Sequence, residues 1–210
     1  MSTKDIKICV VGLGYVGLPL CVALSKFFDV VGYDNSDLRI KELKKSYDRT
    51  NEVTKSQLSN SKISFTSSEI DIKNSNIYII TVPTPIDINN KPDVSHLTNA
   101  TSIIAKGLHE GDIVVYESTV YPGATEEICV PILQELSGLD FNKSFFVGYS
   151  PERINPGDKE HTLSNIKKVV SASNNETLDR LHEIYGKIID AGVYLAESIR
   201  VAEAAKVIEN

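Results

Sequence analysis

A glycine pattern near the start of the chain limits its possible folds more than any other feature. The apolar run 6–11 passes directly into Gly12-Leu13-Gly14-Tyr15-Val16-Gly17, and a second apolar run, 18–24, follows at once. This is G-x-G-x-x-G set between a strand and a helix. Gly12 permits a tight turn, and Gly14 lets backbone N–H groups approach a pyrophosphate. Gly17 lets the helix pack closely on the strand, and the helix N-terminus supplies partial positive charge for phosphates. Asp34 closes the next apolar run, VVGYD, seventeen residues past Gly17. An acidic side chain there accepts hydrogen bonds from a ribose 2′-hydroxyl and repels a 2′-phosphate, so the expected cofactor is NAD rather than NADP. Arg39 lies one helical turn beyond Asp34. Its spacing fits either a contact to the adenosine side or a solvated helix charge.

Further short, β-branched runs occur at 30–33, 63–66, 77–81, 113–117, 145–149, 169–171 and 193–195. Most are apolar on both faces, as strands buried in a parallel sheet are. Amphipathic stretches lie between many of them, at 36–45 with Ser36 as a candidate N-cap, 95–108, 125–136 and 176–188. Strands alternating with helices predict an α/β fold, a Rossmann-type doubly wound, mostly parallel sheet with flanking helices. Right-handed crossovers would then bring every strand's carboxyl end, and the ligand, to one edge. Residues 87–93 and 155–159 read as polar Pro/Gly loops, and 44–60 as a mobile loop or a short helix. The expected organisation is one dinucleotide domain over 1–196 followed, from 197, by a long helix. That helix stops at residue 210 without a cap or breaker, so the chain reads as the N-terminal part of something longer.

Several classes are excluded. Lys+Arg is 22 against 28 Asp+Glu, a formal charge of −6, so no basic face for nucleic acid is expected. Three scattered cysteines and four histidines form no CxxC or HExxH, and no metal site is expected. The uncharged run 8–25 is interrupted by Gly12, Gly14, Gly17 and Pro19, and no small-residue cleavage pattern follows it. It reads as strand, turn and packed helix, with neither membrane insertion nor export, which implies a cytoplasmic protein with reduced thiols. Cys9, Cys21 and Cys129 read as core residues.

Three more segments follow strands: Thr81-Val-Pro-Thr84-Pro85, Glu117-Ser118-Thr119-Val-Tyr-Pro-Gly123 and Ser150-Pro-Glu152-Arg153-Ile-Asn-Pro156-Gly157. On the last helix, Glu203, Lys206 and Asn210 recur, and Lys206 and Asn210 are i, i+4 on one face. Singly, each has an ordinary reading as turn prolines, a helix-capping hydroxyl or a solvated charge. Together GLGYVGLP, VPTP, ESTVYPG, SPERINPGD and AEAAKVIEN, in this order over 8–210, resemble the UDP-glucose/GDP-mannose dehydrogenase family. SPERINPG differs from the NPEFLxEG typical of UDP-glucose dehydrogenases. It retains Glu152, carries Arg153 and Pro156 in place of Phe and the second Glu, and resembles the branch that oxidises UDP-N-acetylhexosamines for bacterial surface polysaccharides.

The resemblance implies NAD-dependent oxidation of the sugar C6 hydroxyl to an aldehyde. A cysteine then traps the aldehyde, a second hydride leaves, and water hydrolyses the thioester. It also implies roles. Lys206 and Asn210 would stabilise negative charge on oxygen. Thr119 and Glu152 would position and activate the hydrolytic water. Glu152, Arg153, Lys206 and Asn210 would meet the substrate, and Thr84, Ser118 and Thr119 would line the nicotinamide side. The chain departs from the family in lacking the nucleophilic cysteine in its Gly-rich loop and the uridine-binding domain. It is therefore expected to be an NAD-binding half, inactive alone, whose full-length form is a homodimer. UDP-glucose 6-dehydrogenase, β-hydroxyacid dehydrogenase and a non-catalytic NAD-binding module are the alternatives.

Overall fold

The computed structural model describes residues 6–86, 92–152 and 164–209. The expected loop at 155–159 lies outside them, as do residues 87–91, Arg153 and Asn210. Among the described residues eight strands, β1 (Lys7–Val11), β2 (Asp29–Tyr33), β3 (Ile63–Thr66), β4 (Ile77–Ile80), β5 (Ile113–Tyr116), β6 (Phe146–Tyr149), β7 (Lys168–Ala172) and β8 (Val193–Leu195), form one sheet. Their order is β3-β2-β1-β4-β5-β6-β7-β8. Among the described residues seven α-helices accompany them: α1 (Gly17–Leu24), α2 (Asp37–Lys44), α3 (Lys55–Asn60), α4 (Ser95–Ala105), α5 (Val130–Ser137), α6 (Asn175–Gly186) and α7 (Ile199–Glu209). This is the doubly wound Rossmann-type fold that the alternating pattern predicts.

The central strand β1 shows why its sequence is apolar throughout. Successive side chains of a strand point to opposite faces. Ile8 and Val10 join a core with Leu18 and Leu20 of α1 and Ile40 of α2. Cys9 and Val11 join a second core on the other face with Leu97 of α4 and Leu133 of α5. Each fully buried Leu or Ile contributes about 1.5–3 kcal/mol, and both faces need it.

The structure departs from the sequence expectations in four places. Residues 44–60 are neither wholly loop nor wholly helix. Thr54 accepts from the Gln57 N–H, the Gln57 side chain returns to the Thr54 N–H, and this capping box starts α3. The stretch 125–136 opens as a π-helical turn, Thr125–Cys129, before α5. Pro131, which has no N–H to close a helical bond, lies just beyond that turn. The helix expected over 95–108 ends at Ala105.

The fourth departure bears on function. Strand β7 is antiparallel to β6, with Tyr149 opposite Ser171, and β8 is parallel to β7. The strands' carboxyl ends therefore do not all meet at one edge. The Pro/Gly segment joining β6 to β7 shows no helical period, and an antiparallel return needs no crossover helix. As a result the start of β7, rather than its end, lies beside the ends of β5 and β6.

Candidate functional site

The glycine loop does what its spacing requires, and its three glycines do so for different reasons. Gly12 has φ +95°, a left-handed conformation that side chains resist. A methyl group on Gly17 would collide with the Gly12 carbonyl oxygen and the Thr81 hydroxyl. Gly17 is therefore required by packing within the protein. Gly14 differs: nothing lies within 4 Å of where its Cβ would be. The protein itself gives no reason for a missing side chain there. The open space lies at the N-terminus of α1, where a pyrophosphate would be held by backbone N–H groups, so the residues present fit a dinucleotide.

Asp34, half-buried at the end of β2, accepts from the Leu13 N–H at 2.9 Å through Oδ2 and from the Ser36 N–H at 2.9 Å through Oδ1. Each carboxylate oxygen retains a second lone pair for a ribose hydroxyl. Ser36 caps α2 as expected, accepting from the Arg39 N–H. Arg39 is 5% exposed and does not line the cleft described below. Its Nε donates to the Leu13 carbonyl at 2.9 Å, and its Nη2 lies 2.8 Å from Asp48 Oδ1. Burial works to raise the Asp48 carboxyl, but the Thr50 hydroxyl, the Val53 N–H and Arg39 outweigh it and hold the group below its ordinary value. Thus Arg39 is not a solvated helix charge: its contacts run to Leu13 and Asp48. It braces the glycine loop from behind against the 48–54 turn.

The opposite wall comes from the ends of β4 and β5. The Thr84 hydroxyl donates to the Thr119 carbonyl at 2.6 Å, and the Ser118 hydroxyl to the Val82 carbonyl at 2.6 Å, which ties the VPTP and ESTV loops together. Between this wall and the glycine loop lies a cleft of about 620 Å³. Gly12, Leu13, Gly14, Tyr15, Val16 and Asp34 line one side; Thr84, Ser118, Thr119 and Glu152 line the other. Ten of the residues singled out from sequence therefore share one cavity. Gly17 is buried beneath it.

Three further residues, unassigned from sequence, organise this edge. Lys168, the first residue of β7, is 3% exposed. Its ammonium lies 2.8 Å from Glu117 Oε2 and 3.0 Å from Glu152 Oε2. The Tyr185 hydroxyl on α6 donates to Glu117 Oε1 at 2.5 Å. Burial pushes the Glu117 carboxyl up, with Lys168 opposing and Glu152 reinforcing. Burial works against the Lys168 ammonium, but the two carboxylates outweigh it and its pKa stands above the ordinary lysine value. The third residue is Glu203 on α7, fully buried. It accepts from the N–H groups of Gly123 at 2.5 Å and Thr125 at 3.0 Å. This joins α7 to the start of the π-helical turn. Lys206 follows three residues later, half-buried and not among the cleft-lining residues. The sequence carried faint signals for these residues: a charge opening an otherwise apolar strand, and an acid three residues before Lys206.

The three cysteines are buried and unpaired. Burial raises the thiol pKa of each, that of Cys129 to about 11, so none provides a thiolate, and none lines the cleft. Among the described residues no cluster suits a metal ion, and no helix is long and apolar enough to cross a membrane.

Comparison with known proteins places this architecture. The NAD binding domain of the UDP-glucose/GDP-mannose dehydrogenase family matches residues 6–189. Protein CapL of Staphylococcus aureus is 57% identical over 97% of this chain and 48% of its own length. The UDP-N-acetyl-D-glucosamine 6-dehydrogenase of Pseudomonas aeruginosa is 56% identical over 99% of this chain and 49% of its own. The solved structure of a UDP-D-ManNAc dehydrogenase from Pyrococcus horikoshii, 31% identical, superposes with a TM-score of 0.89 over 97% of this chain and 50% of that one. The chain thus spans about half the length of the curated relatives it matches. The glycine loop, the Asp34 carboxylate and the match over 6–189 make this chain a member of the UDP-glucose/GDP-mannose dehydrogenase family, corresponding to its NAD binding domain.

Proposed function

We propose that this chain is the cofactor half of a cytoplasmic, homodimeric UDP-N-acetylhexosamine 6-dehydrogenase that oxidises the sugar C6 hydroxyl to the uronate for a surface polysaccharide. The observation that carries this reading is that Glu152, on the SPER segment, opens onto the same cleft as the glycine loop and Thr119. The relatives at 55–57% identity, two of them named UDP-N-acetyl-D-glucosamine 6-dehydrogenases, support the choice of sugar.

NAD, when bound, accepts hydride from the sugar carbon. The protein's own groups bind, orient and move protons. The α1 N-terminus meets the pyrophosphate, and Asp34 meets the adenosine ribose. The Thr84, Ser118 and Thr119 segment forms the nicotinamide side. In the hydrolytic step the Thr119 hydroxyl orients a water, and Glu152 takes its proton. Lys206 and Asn210, four residues apart in the sequence, stabilise oxyanion character on the substrate, each for about 3–4 kcal/mol of barrier. Arg153 meets the sugar or a phosphate. Arg153 and Asn210 are assigned from their motifs, since both lie outside the described residues. On the family resemblance the nucleophilic cysteine and the uridine site lie outside these 210 residues, which by themselves would bind NAD without turnover.

Full-length protein given a UDP-N-acetylhexosamine should form two NADH per sugar. Turnover of UDP-glucose alone would defeat the assignment of the branch, and oxidation of a small 3-hydroxy acid instead would defeat the family mechanism. Stoichiometric NADH from the 210-residue chain by itself would defeat its reading as a cofactor half.

A further inference from the structure

A base that takes a proton from water must be anionic beforehand, must point into the cleft, and must survive becoming neutral without disrupting its surroundings. Glu152 meets the first two requirements through a residue that its own segment does not supply. The β6–β7 register, Tyr149 opposite Ser171, carried three residues further sets Lys168 across from Glu152. The Lys168 side chain is 4% exposed and held on several sides. Glu117 Oε2 lies at 2.8 Å, Glu152 Oε2 at 3.0 Å and the Pro151 carbonyl at 3.5 Å. The Tyr185 ring centroid lies 5.7 Å from the ammonium. An opposite charge this close favours the ionised carboxylate.

The third requirement explains Glu117. With a single carboxylate partner, protonation of Glu152 would leave a buried ammonium unpaired, which is strongly unfavourable. With Glu117 also at ion-pair distance, the ammonium stays paired through the whole cycle. Tyr185 in turn holds the other oxygen of Glu117. The cluster carries one negative charge when both carboxylates are ionised and none when Glu152 has taken the water proton.

We infer that Lys168 is a positioning residue for Glu152, holding its carboxylate at the cleft wall in the anionic form, with Glu117 as the standing counter-charge that lets Glu152 cycle between charge states. The inference rests on the reading of Glu152 as the hydrolytic base. Among the described residues, the charged and titratable groups facing it include Lys168 from β7, Glu117 from the end of β5 and Tyr185 from α6. Tyr149 of β6 adjoins Glu117 and Glu203 of α7.

The test uses the full-length protein with Lys168→Met, Lys168→Arg and the double variant Lys168→Met/Glu117→Gln. The double variant leaves no buried carboxylate of Glu117 unpaired, and so remains informative if Lys168→Met fails to fold. Loss of the cation makes Glu152 harder to ionise, so the acidic limb of the kcat profile should move to higher pH by about one unit or more. Lys168→Arg should restore it, and NAD affinity should change less than about twofold. A folded double variant whose activity falls equally at every pH would overturn the inference and leave Lys168 a structural residue. The titration of the Glu152 carboxyl, followed by 13C NMR of glutamate-labelled protein and identified with Glu152→Gln, needs no substrate. If the wild type oxidises no nucleotide sugar, the catalytic reading fails, while a carboxyl titration unchanged on losing Lys168 refutes the positioning role separately.

Discussion

Gly14 and Gly17 belong to the same motif but answer to different constraints. Gly17 is pressed against the Gly12 carbonyl and the Thr81 hydroxyl, and backbone cannot move aside. Gly17→Ala should therefore destabilise the fold by about 3 kcal/mol, as overpacking does. Gly14 faces open space and has no left-handed φ. Gly14→Ala should leave the thermal midpoint unchanged or slightly raised, because alanine restricts the unfolded chain, and weaken NAD at least about tenfold, or about 1.4 kcal/mol. Thermal melts with NAD titrations would read both, and equal destabilisation by the two substitutions would refute the distinction. Asp34 has a double duty, holding the Leu13 N–H as well as facing the cleft. Asp34→Ala should weaken NAD more than NADP, because the loop contact affects both cofactors and only the ribose contact is selective. Equal losses in binding titrations would remove Asp34 from the ribose.

At the level of elements, the direction of one strand decides which side chains reach the site. A parallel β7 would have put Lys168 at the far edge; the antiparallel one brings it to Glu117 and Glu152. The last helix is anchored in a comparable way. Ile199 and Ala202 enter the core beside β6 and β7, and Glu203 accepts two buried N–H groups at the start of the π-helical turn. Glu203→Ala should cost about 2–4 kcal/mol by leaving both donors unsatisfied. Exchange of the Gly123 and Thr125 amides should quicken, and Glu203→Gln should recover part of the loss. Unchanged exchange at those two amides would show that α7 docks by its apolar residues alone.

Across the whole molecule the two edges of the sheet carry different chemistry. At the edge away from the cleft, Asp112 closes the turn before β5 and is 4% exposed. Burial pushes its carboxyl up to about 6, against the pull of the His109 N–H and the His109 side chain. The folded pKa lies above the unfolded value, so the native state holds the extra proton between about pH 4 and 6. The stability this group contributes is present below about pH 4 and lost as pH rises through about 6. Asp112→Asn should raise stability at pH 7.5 by at most about 3 kcal/mol and give no gain at pH 4. Urea unfolding at both values checks this, and an equal effect at both would exclude titration as the cause.

Local pattern and spacing alone determined the alternation of strands and helices, the glycine loop, Asp34 and the order of the cleft-lining loops, because each depends on residues close together in sequence. They also marked the cysteines as core. The tertiary structure decided what depends on distant partners. Arg39, ambiguous from spacing, is tied to Leu13 and Asp48. Glu203 reaches back to Gly123 across 80 positions, and Lys168 meets Glu117 across 51. No periodicity encodes such contacts, because they follow from strand order and strand direction. A lysine that opens a buried strand looks like a surface charge until the antiparallel register turns it toward two carboxylates.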